Sequence, residues 1–284
     1  MNTSVTASPE IANRLRVGPC SINYHDVGQG DAVLLIHGSG PGVTAWANWR
    51  GVIPALSAGA RVVAPDMLGF GYTQCPADWR LGPDIWVESL VTLLDELGLG
   101  QVNVVGNSFG GAIALALARR HPQRVRRMVL MGSAGLSFPI TRGLEEVWGY
   151  EPSLQAMRKL MEVFAHDHRL INDDLVRMRY EASIRDDVQE RFSRLFPAPR
   201  QQGVDGLALS EQDVRALAHE TLLIHGRDDQ VIPLEVSERL LRLLPRAQLH
   251  VFGECGHWVQ IEKAQAFVRL LADFLAEGRT DDKT

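Results

Sequence analysis

The stretch Val102-Asn103-Val104-Val105-Gly106-Asn107-Ser108-Phe109-Gly110-Gly111 decides the fold of this chain. A short β-branched run ends at Gly106, a serine lies between two glycines, and an alanine-rich run follows. Gly-x-Ser-x-Gly between a strand and a helix is typical of a nucleophile elbow, a sharp turn that holds a serine hydroxyl above a sheet. Small residues are needed around the serine because the backbone there is strained and closely packed. The pattern alone also occurs by chance, so its weight comes from the strand and helix that flank it.

The composition is that of an ordinary globular protein. The 284 residues are 45% hydrophobic and 22% charged, which suits one large α/β domain or a domain with an insertion. The net charge of −5 argues against nucleic acid and against an anionic membrane surface as partners. Residues 1–17 lack an apolar core of signal-peptide length, and no stretch of the sequence approaches a transmembrane span.

The cysteines indicate a reducing compartment. Cys20, Cys75 and Cys255 are odd in number and scattered, without metal-ligand or C-x-x-C spacing, so they form no disulfide framework. We therefore expect a cytoplasmic enzyme of bacterial type, with no metal and no cofactor. Cys255 is interpreted as a small packing residue rather than a second nucleophile.

Strands and helices alternate along the first half of the chain. Residues 15–24 alternate around Gly18 and Pro19, which predicts an antiparallel hairpin at a sheet edge. The apolar runs 32–36, 62–64, 102–105 and 128–131 are predicted as strands, the first of them buried on both faces. Helical spacing predicts helices over 84–97 and 112–120, the second buried nearly all round.

From about residue 136 to residue 216 this alternation stops. Leu154, Met157, Leu160, Met161 and Phe164 form one helical stripe, charged helical stretches continue from 174 to 195, and prolines follow at 197 and 199. The βα pattern then resumes with strands at 221–224 and 248–252, a helix over 234–244, and a last helix that ends at Gly278. The sequence predicts a mostly parallel, doubly wound sheet formed by residues 1–135 and 217–284, with a helical cap, 136–216, inserted after the sixth strand.

The loops that follow two late strands supply partners for the serine. A serine hydroxyl needs a base, and the base must be held by a third group. Asp228 and Asp229 follow the strand at 221–224, and His257 follows the strand at 248–252. The order serine, aspartate, histidine matches that of the α/β hydrolases. His257 is preferred among nine histidines because its glycine-flanked loop follows the last strand; chemistry alone does not separate the two aspartates.

The loop at residues 37–42 is the candidate oxyanion hole. Its glycines leave backbone N–H groups uncovered, so they can face a developing negative oxygen. The expected donors are the N–H of Phe109 and one from Ser39 or Gly40. A phosphate-binding loop is the weaker reading, because no G-x-G-x-x-G or Walker lysine pattern is present.

Together the motifs resemble one branch of the α/β-hydrolase family, the meta-cleavage product hydrolases. The resemblance extends from the N-terminal hairpin to the last helix, and it implies hydrolysis of a carbon–carbon bond in 2-hydroxy-6-oxo-hexa-2,4-dienoates, the ring-fission products of catechols. The motifs that carry it beside the opening stretch are His37-Gly38-Ser39-Gly40-Pro41-Gly42 with Trp46 and Asn48, then Gly226-Arg227-Asp228-Asp229, and Gly256-His257-Trp258.

The resemblance also implies roles for single residues. It selects Asp229, the second aspartate of its run, as the acid of a triad with Ser108 and His257. Arg179 matches a cap arginine that binds the substrate carboxylate; an arginine on a helical cap is otherwise usually a solvated surface residue. Further positions implied to contact the substrate are Gly40, Asn48, Asn107 and Trp258, the last beside the base.

The cap and rim residues concern the substituent at C6 of the substrate. Leu144, Val147, Trp148 and Ile232 resemble those of members that act on C6-alkyl products. A bulky Trp148 would shorten the pocket and disfavour a phenyl group, although discrimination by such changes is modest. The alternative is that Trp148 belongs simply to the core of the cap.

Other functions use the same residues. The residues allow either covalent attack by Ser108 or activation of a water molecule. A carboxylesterase or lactonase would use the same triad without needing Arg179, and a non-catalytic α/β hydrolase would serve as a ligand receptor. A haloalkane dehalogenase is disfavoured because it needs an aspartate in place of Ser108.

The expected partner is a small dienoate, and the resemblance suggests a homodimer.

Overall fold

The computed structural model describes residues 8–276, so the expected end of the last helix at Gly278, the tail after it and the first seven residues lie outside the described part. Within it, eight strands form one sheet. The strands are Asn13–Val17 (β1), Cys20–Val27 (β2), Ala32–Ile36 (β3), Arg61–Pro65 (β4), Val102–Asn107 (β5), Val125–Met131 (β6), Glu220–Gly226 (β7) and Ala247–Phe252 (β8).

Their order in the sheet is β1-β2-β4-β3-β5-β6-β7-β8. The strands β4, β3, β5, β6, β7 and β8 pair in parallel, whereas β1 with β2 and β2 with β4 pair antiparallel. The mostly parallel sheet and the N-terminal hairpin at its edge are confirmed. The carboxyl ends of β3, β5, β7 and β8 lead into the loops that carry the predicted site.

Helices cover both faces of the sheet. Those within the described residues are Ala45–Trp49 (α1), Ile53–Leu56 (α2), Pro83–Glu96 (α3), Phe109–Arg120 (α4), Arg142–Trp148 (α5), Leu154–Phe164 (α6), Asp173–Ser183 (α7), Val188–Leu195 (α8), Gln201–Gly206 (α9), Glu211–Arg215 (α10), Leu234–Leu243 (α11), Val259–Glu262 (α12) and Ala264–Ala276 (α13). None of these helices is long and apolar enough to cross a membrane. The short α1, α2 and α12 were not predicted, because four or five residues are too few for a helical period to show.

The strand β3 shows why its sequence is apolar throughout. All five of its residues are buried. Leu34 and Ile36 join a core that contains residues of α3 and α4, whereas Val33 and Leu35 join a second core with Trp49 and Phe267. A strand with helices on both faces has no solvent side, so hydrophobic residues need not alternate with polar ones.

The helix α4 begins at Phe109, directly after the elbow serine and three residues before the predicted start. The low helix propensity of glycine hid this first turn. Glycines are nevertheless required there: a Cβ on Gly110 would lie 2.2 Å from the Ile36 carbonyl oxygen, and one on Gly106 would lie 2.4 Å from the Gly110 carbonyl oxygen. The residues from Phe109 to Ala118 are all buried, as the sequence predicted for a central helix.

The helices α5 to α10 lie between β6 and β7, and residues 136–216 contain no strand. Pairs α5–α6, α6–α7 and α7–α8 contact one another, whereas α10 contacts α4 and α11 beside the sheet. The stripe of α6 is buried at Met157, Leu160, Met161 and Phe164, but Leu154 is 50% exposed because it is the first residue of the helix. The division of the chain at residues 136 and 216 stays a prediction.

Candidate active site

Ser108 lies at the turn between β5 and α4, with φ 54° and ψ −116°. A non-glycine residue in this region of backbone space is strained, and such strain persists only where the surroundings hold it. Here the Ser108 N–H donates to the Met131 carbonyl at 2.9 Å, and its own carbonyl accepts from Gly111 at 3.0 Å and from Ala134 at 3.2 Å. Neighbouring strand and helix therefore fix the serine at the carboxyl edge of the sheet.

Asp229 and His257 form a direct pair. The Asp229 Oδ2 lies 2.7 Å from His257 Nδ1, and both side chains are buried. The other carboxylate oxygen accepts the backbone N–H groups of Val231 at 2.7 Å and Ile232 at 3.0 Å. Burial alone would raise the pKa of Asp229, but His257 and these donors bring it below its ordinary value.

An ionised Asp229 determines the tautomer of the histidine. A carboxylate without its proton only accepts hydrogen bonds, so Nδ1 of His257 carries the proton and donates it. Nε2 is then free to act as a base. Asp228, by contrast, accepts from the Cys255 N–H at 3.2 Å and lies 3.6 Å from His166 Nδ1, on a partly exposed side of the loop. The geometry thus separates the two aspartates that chemistry left open.

The loop at residues 37–42, the candidate oxyanion hole, is held by the buried His37. His37 Nε2 accepts the Met67 N–H at 2.9 Å, so Nδ1 carries the proton and donates to the Gly38 carbonyl at 2.7 Å. Burial lowers the pKa of His37 to about 4, which keeps the ring neutral near pH 7. Beyond this loop, Asp66 accepts the Ala45 N–H at 2.7 Å at the start of α1.

The two backbone N–H groups predicted as oxyanion donors have no hydrogen-bond acceptor within the described residues. Neither the Ser39 N–H nor the Phe109 N–H donates to a group of residues 8–276. Phe109 opens α4, and the first N–H groups of a helix have no partner within it. Two such donors beside a reacting carbonyl can stabilise negative charge on its oxygen.

A small cavity of about 40 Å³ joins the predicted residues. Ser108 and His257 line it. So do these residues predicted to surround the substrate: Ser39, Gly40, Asn48, Asn107, Leu144, Val147, Arg179 and Trp258. An outer pocket of about 160 Å³ shares Val43, Asn48, Arg179 and Trp258 with it, so the two adjoin at the arginine.

Arg179 brings an unpaired cation to this cavity. Its guanidinium makes no hydrogen bond or ion pair with residues 8–276, unlike most arginines of the protein. Burial lowers the pKa of Arg179, an effect that Glu10 opposes and Arg50 increases. An arginine remains charged at neutral pH even so. A partly buried positive charge without a partner favours an anionic ligand.

Two asparagines add polar groups at the same end. Asn48 Oδ1 accepts the Gly38 N–H at 3.3 Å, while its buried Nδ2 has no partner among residues 8–276. Asn107 Nδ2 donates to the Met131 carbonyl at 3.3 Å. A buried donor without an acceptor is unfavourable, so Asn48 is suited to a ligand oxygen.

Trp148 and Ile232 do not line the cavity. The Trp148 ring stacks on Phe196 with centroids 4.2 Å apart, and its Nε1 donates to Ser39 Oγ at 3.0 Å. The Ile232 side chain is buried, and its backbone N–H supports Asp229; the neighbouring Val231 lines the cavity instead. The packing of Trp148 matches the alternative in which it belongs to the cap core.

Phe164, at the end of α6, is a site residue that sequence reasoning missed. Its carbonyl accepts the N–H groups of His257 at 2.8 Å and Trp258 at 3.2 Å. Its ring stacks on both rings, with centroids 5.8 and 5.2 Å away. The helical stripe showed only that Phe164 is buried, and no spacing could connect it to a loop so distant in the sequence. Within residues 8–276 no cluster of side chains could hold a metal ion.

A strained serine between a strand and a helix, a buried aspartate–histidine pair and free backbone donors define a serine hydrolase of the α/β-hydrolase class. Comparison with known proteins agrees, since residues 31–264 match the α/β hydrolase fold family. The chain is 59% identical over 271 residues to 2-hydroxymuconate semialdehyde hydrolase of Pseudomonas sp. (strain CF600), covering 95% of this chain and 96% of that protein.

Two further relatives indicate which branch of the α/β-hydrolase family the chain belongs to. The chain is 58% identical over 274 residues to 2-hydroxy-6-oxo-2,4-heptadienoate hydrolase of Pseudomonas putida (strain F1), covering 96% and 99% of the two chains. It superposes on the meta-cleavage product hydrolase CumD of Pseudomonas fluorescens IP01 with a TM-score of 0.93 and 53% identity, over 94% of this chain and 98% of that one. The chain belongs to the meta-cleavage product hydrolases of the α/β-hydrolase family.

Proposed function

We propose that this enzyme hydrolyses the bond between C5 and C6 of 2-hydroxy-6-oxo-hexa-2,4-dienoates, giving 2-hydroxypenta-2,4-dienoate and a carboxylic acid. The observation that carries the proposal is the unpaired Arg179 in the cavity that also holds Ser108 and His257. A hydrolase of simple esters has no use for this cation. A dienoate offers a carboxylate at one end for Arg179 and a ketone at the other for the triad.

The reaction begins with tautomerisation of the bound dienol. Arg179 holds the C1 carboxylate, and Asn48 Nδ2 has a free hydrogen for an oxygen beside it. The C2 hydroxyl loses its proton and C5 gains one, so that C2 becomes a ketone. This ketone can later accept the electron pair of the C5–C6 bond, which makes carbon a possible leaving group.

Cleavage then uses the triad. Nε2 of His257 takes a proton from Ser108 or from a water molecule, and the resulting nucleophile adds to the C6 ketone. The oxyanion at C6 accepts from the N–H groups of Ser39 and Phe109. On collapse the C5–C6 bond breaks, its electrons move toward the C2 oxygen, and the proton on His257 is returned. One water molecule is consumed in total, directly or by hydrolysis of an acyl-serine.

A small alkyl group is the favoured substituent at C6. The names of the two relatives describe a C6 hydrogen, in a semialdehyde, and a C6 methyl, in a heptadienoate. In this chain aliphatic side chains, Leu144, Val147 and Val231, line a cavity of only about 40 Å³. A phenyl group would displace them further than a methyl group does, which favours smaller substituents by about 1–3 kcal/mol for each methylene-sized misfit.

The test is to offer yellow ring-fission products that carry methyl, isopropyl or phenyl at C6 and to follow their loss of colour. We expect fast bleaching with methyl, and slower bleaching with phenyl. Absence of bleaching with every substrate would overturn the proposed reaction. Equal kcat/KM for methyl and phenyl would overturn the alkyl preference alone.

Arg179 separates this function from an esterase on the same triad. Arg179→Ala should lower kcat/KM for the dienoate about 100-fold, since loss of a charge-assisted bidentate contact costs roughly 3 kcal/mol. Hydrolysis of a neutral aryl ester, if any, should change little. Arg177→Ala is the matched control, because Arg177 is an exposed arginine on the same helix and lies outside both pockets. An unchanged dienoate rate in Arg179→Ala would favour the esterase.

A cytoplasmic homodimer is part of the proposal. The three cysteines are free thiols, in keeping with a reducing compartment. The edge strand β8 has no partner on its outer side within residues 8–276 and exposes Val251, so it offers a surface for a second copy. Light scattering coupled to size exclusion should give twice the chain mass of 31.4 kDa; a monomer would contradict the dimer.

A further inference from the structure

A buried hydrogen bond connects the cap to the oxyanion loop. Trp148 ends α5, and its indole Nε1 lies 3.0 Å from Ser39 Oγ, across 109 positions of sequence. Trp148 is 3% exposed and Ser39 is 7% exposed. Ser39 lines the cavity with Ser108 and His257, whereas Trp148 does not. The tryptophan therefore reaches the reacting groups only through the serine.

The direction of this hydrogen bond is fixed by chemistry. An indole N–H can only donate, so the Ser39 oxygen must accept. The Ser39 hydroxyl keeps its own hydrogen, and that hydrogen has no acceptor among residues 8–276. A serine hydroxyl normally rotates freely between acceptors. Occupation of one lone pair by Trp148 restricts this rotation and leaves the hydrogen available to a substrate oxygen in the cavity.

The indole is itself held in place. Its ring stacks on Phe196 at 4.2 Å between centroids, with the planes 3° from parallel. Gly203 also packs against it so closely that an added Cβ would lie 2.9 Å from Cζ3 of the ring. A donor fixed by packing loses little orientation when the reaction occurs, which is the condition for effective electrostatic stabilisation.

We propose that Trp148 is a positioning residue for the reaction: its N–H fixes the Ser39 hydroxyl so that this hydroxyl donates to the substrate oxygen that becomes negative. Trp148 then affects kcat through Ser39 and does not select the C6 substituent by limiting the size of the pocket. The inference deepens the proposed function and uses its substrate for the kinetic measurements.

A double-mutant cycle tests the proposal. Trp148→Phe keeps an aromatic ring beside Phe196 and removes the indole donor together with part of the ring volume. We expect a loss in kcat of about 10-fold with KM within about twofold, because an interaction is lost that strengthens only in the transition state. Ser39→Ala should lower kcat at least as much. In the Ser39→Ala background, Trp148→Phe should have almost no further effect.

Trp86→Phe is the matched control. The Trp86 indole also makes one buried hydrogen bond, 2.9 Å to the Leu68 carbonyl, outside the cavity. This variant should lower the melting temperature as much as Trp148→Phe does, with kcat unchanged. Equal losses of kcat in Trp148→Phe with and without the Ser39 hydroxyl, or no loss at all, would overturn the proposal.

A second measurement does not depend on turnover or on the folding of Trp148→Phe. The chain has six tryptophans, so its indole N–H groups can be followed by NMR on protein with ¹⁵N-labelled tryptophan. In Ser39→Ala one indole resonance should shift strongly and exchange faster with solvent. Six unchanged indole signals would show that Trp148 does not bond to Ser39. If the wild-type protein bleaches no dienoate, the proposed function is wrong. The NMR measurement would still decide whether Trp148 donates a hydrogen bond to Ser39.

Discussion

At the scale of single residues, close packing around the site restricts which side chains are possible. Gly132 has φ +49°, and a Cβ there would lie 3.2 Å from both Asp229 Oδ2 and His257 Nδ1. Gly132 therefore packs directly against the contact between Asp229 and His257, and a larger residue there would displace one of the two side chains. The sequence shows only a glycine after a strand, because the neighbours that make it necessary come from two other loops.

The two adjacent aspartates provide a prediction at this scale. Asp229→Asn should lower kcat about 10⁴-fold, since an amide can present a donor to His257 Nδ1 and favour the wrong tautomer. Asp228→Asn is the control, and we expect kcat within about threefold of the wild type, as for most substitutions on partly exposed positions. Steady-state bleaching of the C6-methyl substrate gives both values. Similar losses in the two variants would contradict the assignment of the acid.

At the scale of elements, a few hydrogen bonds from partly exposed groups join the cap to the loop of His257. Glu262, at the end of α12, accepts the N–H groups of His166 at 2.8 Å and Asp167 at 2.9 Å through Oε2. Its other oxygen accepts the Gly256 N–H at 2.8 Å, directly before His257. With the Phe164 carbonyl, this carboxylate connects the end of α6 to the loop of His257. Periodicity predicts α6 but not the short α12, and it contains no information on the contacts between them.

Glu262→Gln therefore should weaken both the fold and the reaction. One of its two acceptor oxygens becomes an NH₂ group that faces backbone donors, which costs about 2 kcal/mol. We expect a lower melting temperature and a kcat reduced about 10-fold, because His257 loses a support of its position. Glu238→Gln removes the same charge from an exposed glutamate of α11 whose side chain has no partner among residues 8–276, and it should alter neither quantity. A Glu262→Gln enzyme with wild-type kcat and melting temperature would show that this contact does not support the base.

At the scale of the whole molecule, buried titratable groups make stability depend on pH. Burial lowers the pKa of His25, His37 and His225, that of His37 to about 4 from 6.5. The unfolded chain therefore binds protons at these histidines as the pH falls through 6.5, whereas the folded chain binds them only at lower pH. Asp66 acts in the opposite direction, since burial raises its pKa to about 6 from 3.8. We expect the three histidines together to contribute more than Asp66 to the change in stability.

The expected result is a free energy of unfolding that falls between pH 7 and pH 5, by at most about 1.4 kcal/mol per net proton and pH unit. Urea denaturation at the two pH values measures it. His225→Gln should show a smaller fall, because one of the three histidines no longer titrates. Stability that is equal or greater at pH 5 would mean that Asp66, rather than the histidines, dominates the pH dependence.

The sequence by itself determined the strands, the longer helices and the order of the proposed triad residues. Apolar runs, helical spacing and the Gly-x-Ser-x-Gly turn act over a few neighbouring residues, so the sheet, the elbow and the loops after β7 and β8 could be predicted from local patterns. Resemblance added Asp229 and Arg179, which no local pattern distinguishes from Asp228 and other cap arginines.

Only the tertiary structure decided which side chains meet. It placed Asp229 2.7 Å from His257, left Arg179 without a partner, replaced Ile232 by Val231 along the cavity, and joined Trp148 to Ser39. These contacts connect residues from 28 to 109 positions apart. Such contacts depend on how helices and loops pack across the sheet, and the identity of a residue and its neighbours in sequence does not specify that packing.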